Sequence, residues 1–368
     1  MKKIFDILPG FALAFFIYLV ADYASDLIGK DLLGYKKSPI STVLFSIVFG
    51  ILIGNFVKLG ETFSKGITFS VKFVLRLGII LLGIRLSLWD VFKFGSISIP
   101  LIIICIVVVI IVVRFLITKL KISPEMSYLI AIGTSICGAS AIVATAPVIN
   151  AKKAEVTYAV ANITIFGILG MFLYPYIANI LFDGNTSAIG LFVGTAIHET
   201  AQVAASGLIY EQQFNDPRVL EVSTITKLVR NTFLIVMIPL FAYFYNRNSQ
   251  AADYSITKIF PFFVVGFIMM VILRTAGDHL ILNEGLFIDN QTWGQVINLF
   301  KEASGICLSV AMAALGLSTN FKEIKTMGHK PFVVGFIAAF VVGFASLLTI
   351  LGFQGPVSYT HLTLPTKA

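Results

Sequence analysis

The chain has 368 residues, of which 57% are hydrophobic and only 12% charged, about half the ~25% charge of a soluble domain. With a mean hydropathy of +0.92, this composition excludes a soluble enzyme, a disordered chain and a collagen-like fibre, and makes lipid the expected solvent. The net charge of +8 does not point to nucleic acid, because the basic residues are scattered in short loops between apolar runs.

A membrane-crossing helix needs ~20 largely apolar residues. Eleven segments meet that requirement in chain order: Phe11–Ile28, Pro39–Val57, Ile67–Leu88, Ser96–Ile117, Met126–Ile149, Val156–Leu181, Ser187–Ile209, Leu228–Tyr245, Ile256–Leu273, Ala303–Leu317 and Phe332–Leu351. The fold class expected is therefore an all-α polytopic membrane protein of about 10–11 transmembrane helices. Residues 1–354 are expected to form a single transmembrane domain. Met1-Lys2-Lys3 opens the chain without a readable signal-peptide cleavage site. Before the tenth segment, Trp293, Val296, Ile297 and Phe300 fall at helical spacing, which predicts a short amphipathic helix in the interface. The final stretch, Gly355–Ala368, is polar, and its VSYTHLTLPTKA resembles translated sequencing-adapter sequence rather than part of the domain.

The fifth and seventh segments differ from the rest. GTSICGASAIVATAP (Gly133–Pro147) and VGTAIHETAQVAASG (Val193–Gly207) are rich in Gly, Ala, Ser and Thr. Small residues let helices approach closely in lipid, which accounts for the Gly and Ala but not for Thr, His, Glu and Gln at that depth. Two self-similarities accompany them. Gly133-Thr134-Ser135-Ile136 matches Gly194-Thr195-Ala196-Ile197. Leu81–Gly95 resembles Ala314–Gly328, with an acid (Asp90, Glu323) seven residues after a shared Leu-Gly. Internal repeats of this kind point to secondary transporters. The second pair would run antiparallel and the first parallel, so either one small-residue segment is a re-entrant hairpin, the count is off, or the order is permuted.

GTSICGASAI, GTAIHETAQVAASG and the ALGLST block together resemble the YeiH-like family, to which sulfate export is assigned. The likeness runs from about Pro9 to Phe353. It implies a distant relation to the bile-acid, arsenite and riboflavin transporter superfamily, and through it a panel-and-core transporter with crossed, broken helices at the membrane centre.

Several polar residues are candidate substrate ligands. Thr134, Ser135, Cys137, Gly138 and Ser140 would line a helix break whose freed N–H groups favour an anion; tight helix packing is the plainer alternative. Thr195 and Gln202 lie in the second small-residue segment, with His198 and Glu199 as a coupling pair, since ionisable groups inside a membrane default to functional hypotheses. HETAQ lacks the second His of a zinc-protease motif. Arg76 is a substrate counter-charge or a partner of Glu302. Arg230 is a ligand or, with Lys227, an interfacial anchor. Asn162 bonds either substrate or a neighbouring helix.

The function expected is secondary transport of a small anion, sulfate or a related oxyanion or sulfonate being exported, with proton coupling. A sodium-coupled organic-anion symporter is the runner-up, followed by an intramembrane enzyme and a channel. No enzymatic activity, metal or cofactor is expected. The partners are a small anionic substrate and membrane lipid of the bacterial cell membrane, and a homodimer is left open. Lys and Arg distribute evenly between the two sides, so the positive-inside rule gives no orientation.

Overall fold

The computed structural model describes residues 2–28, 41–120, 122–245, 262–284, 289–319 and 329–357. Every regular element among them is helical. The elements are α1 (Lys2–Asp26), α2 (Thr42–Phe56), α3 (Glu61–Phe69), α4 (Leu75–Leu82), α5 (Leu88–Leu120), α6 (Pro124–Ser135), α7 (Ala139–Thr145), α8 (Lys153–Leu181), α9 (Thr186–Ala196), α10 (Thr200–Phe214), α11 (Arg218–Thr232), α12 (Leu234–Tyr245), α13 (Phe263–Glu284), α14 (Asn290–Ser318) and α15 (His329–Val357). A π turn at Ser70–Val74 joins α3 to α4 without a break in direction. Seven helical stretches among the described residues are long and apolar enough to cross a membrane, and α2 and α9 are shorter apolar helices.

Polar contacts fix which helix ends lie together. Asp6 with Lys65 at 2.7 Å and Asn55 with the Thr319 carbonyl at 2.7 Å mark a first end of the bundle. Asp22 with Thr42 and Asp90 with Arg218 at 3.1 Å mark a second end. Ser123, at the start of α6, donates to Glu155 at the start of α8 at 2.7 Å. The chain therefore enters with α6 and returns with α7 to the same end. Ile142 of α7 lies back against Gly133 of α6, as a fold-back requires. The other small-residue segment does the same from the opposite side. Thr186, opening α9, bonds Asp216 beyond α10, and Tyr210 near the end of α10 bonds Asn179 near the end of α8 at 2.7 Å. Both are re-entrant hairpins, and neither crosses the membrane. This removes the fifth and seventh segments from the expected set of spans. Irregular backbone at membrane depth is tolerated only where protein buries it or a cavity lines it.

The helices form two lobes. In one, α1, α2, α3–α4, α13 and α14 pack together. Here glycines set the spacing: a Cβ on Gly50 would strike the Ala313 carbonyl, and one on Gly316 the Ile47 carbonyl, so α2 and α14 touch backbone to backbone. The other lobe gathers α5 to α12 and α15 around the two hairpins. The lobes meet mainly where α10 touches α2 and α14.

Two further expectations are corrected. Trp293 and Ile297 do not belong to a separate interfacial helix; they are buried residues in the first turns of the continuous α14. Trp293 packs on Gly277 and donates to Asp278 at 2.8 Å. The eighth segment begins at Arg218 rather than Leu228, because α11 is polar on its buried face. The expected tail begins inside α15, whose helix continues through Gly355–Val357; Ser358–Ala368 lie outside the described residues. So do residues 320–328, within the expected second repeat copy.

Candidate functional site at the hairpin tips

The first hairpin turns at Ile136-Cys137-Gly138. Gly138 sits at φ 64°, ψ −128°, a backbone conformation that side chains oppose. A Cβ there would stand 3.3 Å from that of Glu199, so glycine also permits the tips to touch. The second hairpin turns at Ile197-His198-Glu199, with Ile197 and Glu199 extended. No Gly or Pro lies in that turn. The tips meet level with Ile163, Thr164 and Gly167, near the middle of the 29-residue α8. At 1.5 Å rise per residue α8 spans roughly 43 Å, so the tips sit close to mid-membrane.

Two cations from α11 hold the tips. Lys227 and Arg230 are both 0% exposed and share a helix face at i, i+3. The Lys227 ammonium donates to the carbonyls of Ile136 (2.8 Å), Ile197 (3.0 Å) and His198. Arg230 donates from Nε to Ser135 O (2.6 Å), from Nη1 to Thr195 O (2.6 Å) and Ile197 O (3.3 Å), and from Nη2 to Thr134 O. These acceptors are the orphan carbonyls at the C-terminal ends of α6 and α9, where the helix dipoles are negative. The matching Gly-Thr-x-Ile motifs now have one structural meaning. In each, the Thr carbonyl faces Arg230 and the Ile carbonyl faces Lys227.

The expected ligands divide into those that gather at the tips and those that do not. Ser135, His198 and Gln202 are buried there, and Ser135 Oγ, His198 Nδ1 and Gln202 Oε1 have no hydrogen-bond partner. Gln202 donates to the Thr164 carbonyl at 3.2 Å, and His198 is hydrogen-bonded to the backbone of Thr134. Glu199 is half-buried, within electrostatic reach of Lys227, and its carboxylate makes no ion pair or hydrogen bond among the described residues. Thr134 and Thr195 contribute carbonyls to the clamp; the Thr195 hydroxyl is bonded to Ser346 of α15 at 2.6 Å.

The remaining candidates have other neighbours. Arg230 gives four of its five N–H donors to backbone carbonyls and leaves no two-donor fork for a ligand, and Lys227 is no interfacial anchor. Cys137 is turned into an apolar cluster with Ile106, Met237 and Phe241. Ser140 is exposed on the outer face of α7. Asn162 donates to the Pro331 carbonyl at 3.0 Å and faces Gly335, tying α8 to α15, while its Oδ1 is buried without a partner. Arg76 is exposed, 6.0 Å over the Phe263 ring, and forms no ion pair with Glu302.

Sequence reasoning underrated Lys227 and missed Thr226 and Asn231. Asn231 donates to Thr200 at 3.0 Å, and its Oδ1 and the Thr226 hydroxyl are buried without partners. The available signal was the i, i+3, i+4 spacing of Lys227, Arg230 and Asn231, which puts all three on one face.

Fold and site define a polytopic membrane protein built around two opposed re-entrant hairpins. The model of the family described as Conserved hypothetical protein 698 matches residues 9–335. Over 309 residues the chain is 37% identical to the UPF0324 membrane protein FN0533 of Fusobacterium nucleatum, covering 83% of this chain and 88% of that one. It is 33% identical over 329 residues to the UPF0324 membrane protein SAG1125 of Streptococcus agalactiae, covering 89% and 92%. To the UPF0324 membrane protein Cj0999c of Campylobacter jejuni it is 31% identical over 325 residues, covering 86% and 87%. The chain belongs to this family of multi-pass bacterial membrane proteins.

Proposed function

We propose that this membrane protein is a secondary transporter of a small anion, exporting sulfate or a related oxyanion or sulfonate, with protons carried by Glu199 and His198. The observation that carries this reading is the set of unpartnered buried polar atoms on the hairpins and on α11, which clamps them: Ser135 Oγ, His198 Nδ1, Gln202 Oε1, Thr226 Oγ1 and Asn231 Oδ1. Buried polar atoms are rarely left unpaired, and a ligand that visits the site would complete them. Two fixed cations, Lys227 and Arg230, stand beside one acid, Glu199, which favours an anion through the low-dielectric interior. The anion would be held by hydroxyls and by that field, not by the guanidinium directly. The sequence contains no G-x-x-x-x-G-K-[ST] motif, so the driving energy would come from a gradient.

One feature favours a second reading, a sodium-coupled organic-anion symporter. Gln202, three residues from Glu199, and Asn231, bonded to its neighbour Thr200, carry the unpartnered oxygen acceptors Oε1 and Oδ1, a donor type suited to a hard cation. Proteoliposomes loaded with labelled sulfate separate the two. Export that follows a proton gradient and ignores sodium supports the first reading. Sodium-dependent movement of carboxylates without sulfate flux supports the second, and no saturable flux of either anion class sinks both.

A further inference from the structure

We propose that the Arg85–Glu211 ion pair is a latch that ties the two lobes together at the second end. Arg85 ends the α3–α4 pass of one lobe, while Glu211 lies on α10, the outward limb of the second hairpin, in the other. Nη1 of Arg85 meets both carboxylate oxygens, at 3.0 and 2.8 Å. Nε is buried and has no partner, although a fork-to-fork pair would use it. The arginine side chain is 9% exposed and the glutamate 21%. The tie is dry enough to matter and incomplete enough to open.

The surroundings repeat the same division of charge. Arg274 bonds the Ile84 carbonyl at 3.1 Å and Asp278 at 2.7 Å, fixing the backbone just before Arg85. Lys301 of α14 makes no ion pair or hydrogen bond among the described residues, yet lies within electrostatic reach of Glu211 and Glu221. Across the gap, Glu221 and Asp90 are held by Arg218 at 3.2 and 3.1 Å. At the second end one lobe thus carries Arg85, Arg274 and Lys301 with Asp278, and the other Glu211, Glu221 and Asp90 with Arg218. Burial is lopsided in the same sense. On the second hairpin, every residue of α10 from Ala201 to Tyr210 is buried, whereas α7 of the first hairpin exposes Ser140 and Val143. The tips themselves are buried, and the wholly buried α10 stands between them and the second end. An anion passing from the tips to that end would have to part α10 from the other lobe, which requires the latch to open.

The inference rests on the transporter reading for its purpose, but its test contains no substrate. A Ser206→Cys reporter lies on α10 between the tips and the latch; the protein without it supplies the baseline from Cys105, Cys137 and Cys307. An impermeant maleimide is applied at the second end of vesicle-embedded protein. With Glu211→Gln, labelling of the reporter is expected to accelerate about tenfold, the scale of one charge-assisted bond. The exchange Arg85→Glu with Glu211→Arg should return it to the slow rate. Unchanged labelling in monodisperse Glu211→Gln protein overturns the latch, as does a swap that labels as fast as the single variant. Should Glu211→Gln not fold, Arg85→Lys serves instead: faster labelling supports the latch and an unchanged rate overturns it. Either result leaves sulfate transport to its own assay.

Discussion

Lys227 and Arg230 are two fixed positive charges at mid-membrane, an arrangement lipid opposes strongly. They are tolerated because the broken ends of α6 and α9 supply carbonyls to both, and the same bonds explain why the breaks persist. Arg230→Lys keeps the charge but cannot span Thr134, Ser135 and Thr195 together. Each carbonyl orphaned in this way costs about 1–3 kcal/mol. We expect Arg230→Lys to unfold at lower denaturant in detergent and Lys227→Met to yield little folded protein, both read by denaturant titration. Ser135 and Glu199 should behave otherwise, since neither side chain holds a helix. Ser135→Ala should bind sulfate several-fold more weakly, about the value of one hydrogen bond, at unchanged stability. Glu199→Gln should still bind sulfate but lose the pH dependence of net flux. A normal pH profile in that variant would return Glu199 and His198 to a packing role.

Among the elements, α2 and α14 depend on contact between glycines rather than on side-chain interlock. Gly316→Ala would press a methyl group on the Ile47 carbonyl, and relieving it must shift a helix. Overpacking of this kind costs about 1–3 kcal/mol. The expected outcome is a lowered thermal midpoint, with anion binding unaffected in whatever protein remains folded. The two hairpins divided differently in what their sequences disclosed. Gly138 marks the first turn plainly, and its small-residue neighbours announced a break. Nothing local marks the second: Ile197, His198 and Glu199 would extend a helix as readily as end one. Their turn forms because Lys227 and Arg230, some thirty residues onward, capture the carbonyls that a continued helix would have used.

For the whole molecule, the hairpins change the orientation argument. With eleven full crossings the basic residues divide evenly. Returning the first hairpin to its own end moves Lys152 and Lys153 beside Lys58, Lys65 and Lys119, and the burial of Lys227 removes a charge from the other end. The balance tips toward the first end, which the positive-inside rule then places in the cytoplasm. Cysteines at the exposed Lys58 and Lys93, at opposite ends, should react with an impermeant reagent from the cytoplasmic and external faces respectively. The reverse pattern would invert the molecule and, with it, the side on which the Arg85–Glu211 pair lies.

Composition and hydropathy by themselves determined that this chain lives in lipid, that it is helical throughout its described residues, and that Gly133–Pro147 and Val193–Gly207 are its unusual segments. Those properties are local: a helix satisfies its own backbone, so an apolar run of sufficient length specifies a helix without reference to any neighbour. Whether such a run crosses or turns back is not local. It depends on which groups receive the backbone bonds that a turn releases, and those groups are Lys227 and Arg230 on another helix. The same holds for Arg76, Ser140 and Asn162, whose residue types suited a site but whose helix faces point elsewhere. Chemical type is written at each position, whereas the face it presents, and the company it keeps at the tips, are set only when the two hairpins close on α11.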